Sequence, residues 1–192
     1  RHIVAHALID RGISASSLRQ PREHPLGAMD KTGGYDPERL MAALKIPSCD
    51  IQSRALDALQ GKLPVNGRDA FLGYMADCEP WLFEKGLPVV ESGKDPSLYP
   101  LVLAIAKKRD LTETKAFALF SASLGDRDGL PILERAWALA DGNTWDQYSI
   151  WRLMQGILRL DPERVVQMLE KPPQVGAKRS ALCNLVSQNP SP

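Results

Sequence analysis

Apolar residues return at helical spacing along most of this chain, in short runs that a polar cap opens and a glycine or proline closes. From Asp36 onward such starts recur roughly every 14 to 18 residues. Asp36-Pro37-Glu38-Arg39 opens the first, with Leu40, Met41 and Leu44 behind it. The same four residues return at Asp161-Pro162-Glu163-Arg164, followed by Val165, Met168 and Leu169. In both places the aspartate can accept from free first-turn amides, and proline at the first helical position has no amide to lose. The flanks do not otherwise align, so we read the recurrence as repeated use of a good cap.

Between the two copies, Ser48 or Asp50 can start a helix on Ile51, Ala55, Leu56 and Leu59, and Asn66 one on Phe71, Tyr74 or Met75, and Cys78. The stretch Glu79 to Gly93 carries Pro80, Gly86 and Pro88; it predicts one short helix through Trp81-Leu82-Phe83 and a break in the rhythm. Ser97 to Arg109 places Leu98, Leu101, Val102 and Ile105 in line, with Pro100 confined to the first turn. Further helices are expected over Thr112–Leu124, from Asp128 or Gly129 to Ala140, from a Thr144 capping box to Leu160, and over Gly176–Gln188.

No strand-like alternation competes with these patterns. Short connections turn each helix back on its predecessor, so the expected fold is all-α: antiparallel helical hairpins stacked as a short irregular α-solenoid or a helical bundle. No named repeat signature is reproduced.

Ahead of this array, covering residues 36–192, residues 1–35 read differently. His2 to Ile13 predicts a short helix with Ile3, Val4, Ala7 and Leu8 on one side. Ser14 to Tyr35, with its serines, Pro21, Pro25 and Gly33-Gly34, predicts a long irregular loop that serves as a linker, flap or binding loop.

Composition narrows the function classes. Of 192 residues 44% are hydrophobic and 24% charged, ordinary for a folded, water-soluble domain. A net charge of +1 disfavours a phosphate-gripping, nucleic-acid role. The basic runs Lys107-Lys108-Arg109 and Lys178-Arg179 read as solvated helix ends. The longest apolar stretch, Leu98 to Ala106, is about half of a membrane span. A start at Arg1 without a signal-like segment suggests an excised domain or processed product of a larger protein.

Cys49, Cys78 and Cys183 form no CxxC pair and read as free thiols in a reducing compartment, with a Cys49–Cys78 bridge left open. His2 and His6 share a helical face, with Asp10 one turn on, but the HExxH glutamate is missing, so no metal and no cofactor is expected. Cys49, at a helix start, is the one thiol suited to pairing with a histidine base. No catalytic residue can be assigned.

The cluster that stands out is aromatic. Trp145, Tyr148 and Trp151 follow at i, i+3 and i+6, with Arg152 alongside, and aromatics with arginine dominate binding hot spots. Core packing produces the same spacing. The expected function is a protein–protein interaction module whose helical surface receives a partner protein or peptide, through Trp145, Tyr148, Trp151 and Arg152. The alternative is an all-α enzyme domain using a Cys/His or carboxylate site.

Overall fold

The computed structural model describes residues 36–174 and 176–188. The expected N-terminal helix, the loop to Tyr35, all three histidines and the proposed boundary after residue 35 therefore lie outside the described residues. Within them the protein is all-α, with ten helices and no strand. In chain order they are α1 (Pro37–Ala43), α2 (Cys49–Leu59), α3 (Arg68–Asp77), α4 (Pro80–Ser92), α5 (Tyr99–Lys108), α6 (Lys115–Leu124), α7 (Leu130–Leu139), α8 (Gln147–Leu160), α9 (Pro162–Glu170) and α10 (Gly176–Gln188).

Side-chain caps open four of the described helices. The Asp36 carboxylate accepts from the Glu38 amide at 3.1 Å and that of Asp161 from the Arg164 amide at 3.2 Å, so both copies of the Asp-Pro-Glu-Arg motif act as caps. Thr114 caps α6 through the Phe117 amide. The start of α8 departs from expectation: Asp146, not Thr144, is its cap and receives the Ser149 amide at 2.9 Å. Thr144 is instead held by Asp141, which accepts from both its amide and its hydroxyl. An aspartate binds two donors at once and holds them more strongly than a hydroxyl can. At its other end α5 stops in a left-handed turn at Asp110 (φ 57°), where the Leu111 amide bonds the Ala106 carbonyl at 2.9 Å.

The main correction falls on Glu79–Gly93. It forms a continuous thirteen-residue helix, α4, with Pro88 inside it. Pro80 sits at the permissive N-terminal end, and Leu82, Phe83, Leu87, Val89 and Val90 are all buried. Burial on this scale outweighs the roughly 3 kcal/mol that an internal proline costs a helix. Leu101 departs in the other direction: it is half exposed, while Tyr99, Val102 and Ala106 carry the buried face of α5.

Packing follows a regular order. α2 packs on α4, α4 on α6, α6 on α8 and α8 on α10, so the even-numbered helices form a continuous row. α1 joins this row at α2, α3 at α4, α7 at both α6 and α8, and α9 at α8. The two hydrophobic clusters meet on α6. Phe117 and Phe120 belong to the first, where Phe117 lies 6.3 Å from Phe83 and Phe120 5.7 Å from Tyr99. Ala118 and Ala122 belong to the second, and the small side chain of Ala122 lets the backbone of α8 approach at Gly156. No described helix is long and apolar enough to cross a membrane.

Candidate functional site: an aromatic edge

The turn leading into α8 is fastened before any of its aromatics is placed. Lys115 of α6 meets the Asp146 carboxylate at 2.9 Å, and Asp146 also accepts from the Ser149 hydroxyl at 2.6 Å. These donors favour the charged form, so the Asp146 carboxyl is held well below the usual carboxylate range, first by the Ser149 hydroxyl, then by its amide and by Lys115. The same ammonium lies 5.3 Å from the centre of the Trp145 ring.

The four expected site residues divide between three roles. Trp145 is 9% exposed and packs in the second core cluster, so it belongs to the interior. It precedes α8, and the helical spacing that linked it to Tyr148 does not apply to it. Arg152 is half-buried and points along the row: it pairs with Glu91 of α4 at 2.5 Å and donates to the Leu119 carbonyl at 3.5 Å. Its task is to join helices.

Tyr148 and Trp151 remain at the surface. Tyr148 is 66% exposed, and its ring stacks on that of Trp151 with centroids 6.0 Å apart and planes 22° from parallel. Around them Gln147 of α8 and Asn184 and Gln188 of α10 complete an open depression where the start of α8 lies beside the end of α10. Every described lining residue is uncharged. Asn184 and Gln188 could not be assigned to this edge from sequence, because only the packing of α10 on α8 brings them there.

The other candidate groups sit elsewhere. All three cysteines are free: Cys49, the first residue of α2, and Cys183 are exposed, and Cys78 is half-buried. Burial pushes the Cys78 thiol up, against the lowering influence of Arg109. Arg109 is no solvated helix end. Its guanidinium donates to the carbonyls of Met75 and Cys78 at the end of α3 and lies 5.5 Å from the Phe83 ring centre. It thereby supplies donors to carbonyls the helix leaves unpaired. Lys178 is likewise turned inward, 6% exposed, with its ammonium 5.2 Å from the Trp137 ring centre and 3.4 Å from the Ala138 carbonyl. Each basic run thus spends one cation on internal structure.

Comparison of the chain with known protein families, curated proteins and solved structures gives no match.

Proposed function

We propose that this chain is a protein-interaction module, a short irregular α-solenoid whose α8–α10 edge receives an extended segment of a partner protein. The observation that carries this reading is the Tyr148–Trp151 stack, a preformed aromatic surface left open beside three side-chain amides. Aromatic rings bury much area while freezing few rotamers. The amides of Gln147, Asn184 and Gln188 both donate and accept, which suits a peptide backbone in extended form.

Magnitude sets the class of partner. Covering about 200 Å² of ring surface at ~25 cal/mol per Å² contributes on the order of 5 kcal/mol, much of which association entropy offsets. A short segment therefore binds in the micromolar range or weaker, and the uncharged rim makes its affinity nearly independent of salt.

Selection of a displayed peptide library against the full chain tests this. Selected peptides are expected to lose at least tenfold in affinity against Tyr148→Ala and Gln188→Ala and to keep it against Leu139→Ala, an exposed site on α7. Affinity should change little between 50 and 500 mM salt (roughly, against the steep loss of a phosphate-bound ligand). Selection that yields no peptide dependent on Tyr148, or binding that collapses with salt, removes this reading.

A further inference from the structure

The aromatic edge has a geometry that selects one kind of segment, an inference that rests on the interaction reading above. Parallel rings in contact lie about 3.5–4 Å apart, so centroids 6.0 Å apart mean that Tyr148 and Trp151 are offset and part of each ring face stays uncovered. Tyr148 is largely exposed and Trp151 half-buried. Two stepped apolar faces therefore stand in line along the start of α8.

Unused donors surround them. The Trp151 indole N–H, the Tyr148 hydroxyl and the side-chain amides of Gln147, Asn184 and Gln188 have no hydrogen-bond partner among the described residues. Each of these amides carries two N–H donors. No described lining residue is charged, and Arg152, next to Trp151 in the chain, is already paired with Glu91.

Three common modes of peptide recognition do not suit this surface. A phosphorylated or acidic segment needs free cations, which the described lining lacks. Strand addition needs the open edge of a sheet, and the described residues contain no strand. An amphipathic helix needs an apolar groove for anchors on successive turns, whereas the apolar surface here is two rings in an open depression.

A polyproline II segment matches each feature. Its backbone makes no internal hydrogen bonds, so its carbonyls are free to accept, and proline has no amide N–H to leave unpaired on a donor-rich surface. It advances about 3.1 Å per residue, which sets prolines two apart at about 6 Å along one side, close to the spacing of the two rings. Its restricted dihedrals lose little freedom on binding, which matters where the covered area is small.

We propose that the α8–α10 edge takes a proline-rich segment in polyproline II form, with a Pro-x-Pro pair seated on Tyr148 and Trp151 and its carbonyls accepting from the Trp151 indole and the amides of Asn184 and Gln188. Two uncharged peptides of equal length test this against the full chain: blocked hexaproline and blocked Gly-Ser-Gly-Ser-Gly-Ser. Binding is followed by NMR at the Trp151 indole, assigned with Trp151→Phe. Hexaproline is expected to shift that resonance and to bind at least tenfold more tightly than the Gly-Ser peptide. Tyr148→Ala should weaken it at least tenfold, while Tyr148→Phe, which keeps the ring, should leave it within about twofold of wild type. Tyr148 is outside the core, so both variants are expected to fold. Equal affinity for the two peptides, or hexaproline binding that survives Tyr148→Ala, overturns the proposal. The displayed library separates this failure from that of the interaction reading. Selected peptides that depend on Tyr148 but carry no proline overturn the proline-rich class alone, whereas selection of no Tyr148-dependent peptide overturns both.

Discussion

The guanidinium of Arg152 on α8 meets the carboxylate of Glu91 on α4 at 2.5 Å, although the two are 61 positions apart in the chain. α6 lies between their helices in the packing order, so this pair clamps three successive members of the row, with Arg152 also touching the α6 carbonyl of Leu119. Both side chains are less than a third exposed. Glu91→Gln is expected to cost about 1 kcal/mol, and a cycle with Arg152→Met to show coupling of about 1 kcal/mol, reduced in high salt. Strictly additive single-mutant effects in urea unfolding would show that the contact contributes nothing.

Trp145 and Tyr148 are three residues apart and should respond oppositely to truncation. Trp145→Ala empties a core position and is expected to cost about 3–5 kcal/mol. Tyr148→Ala loses only its stacking on Trp151, about 0.5–1 kcal/mol, while weakening the proposed peptide binding at least tenfold. Denaturant midpoints of the two variants provide the check; a Tyr148→Ala chain as damaged as Trp145→Ala would mean the ring is structural.

At Gly156 the sign of a usually favourable change is expected to invert. Replacing glycine by alanine in a helix gains about 1 kcal/mol where space is free. Here the added Cβ would lie 2.6 Å from Ala122 Cα and 2.7 Å from its Cβ, against a rigid neighbouring backbone. Gly156→Ala should therefore destabilise by about 1–3 kcal/mol net, as overpacking does. A rise in melting temperature would contradict the close approach of α6 and α8.

Asp146 makes the acid side of the stability curve informative. Its carboxyl is held below the ordinary range in the folded chain by Ser149 and Lys115, so the unfolded state takes up a proton first as pH falls. Its contribution is complete above the ordinary carboxylate range, near pH 4, and is lost as pH drops from there through the depressed folded value. Asp146→Asn keeps an oxygen for the Ser149 amide and removes the titration. Urea midpoints of wild type and variant should converge as pH is lowered below about 4; parallel curves would show that the carboxylate is not held in this way.

Much of the array was legible in the chain itself because helix starts and stops are local events. Asp36 and Asp161 bind amides two and three residues away, and the proline next to each is harmless in the first turn, so their position in the fold is immaterial. Of the Pro80–Ser92 helix only the start through Trp81-Leu82-Phe83 was legible: Gly86 and Pro88 argue locally against its continuation, and only the burial of Leu87, Val89 and Val90 among other helices reverses that balance.

The amino-acid sequence by itself determined an all-α protein, the aspartate caps Asp36 and Asp161 of two of its helices and the presence of a cluster of aromatic residues near position 148. Tertiary packing decided which of those aromatics face solvent, sending Trp145 inward, giving Arg152 to Glu91 and bringing Asn184 and Gln188 beside Tyr148. The reason is one of range: periodicity shows that a helix has a face, whereas the rotation of that face toward a neighbour depends on contacts between residues far apart in the chain.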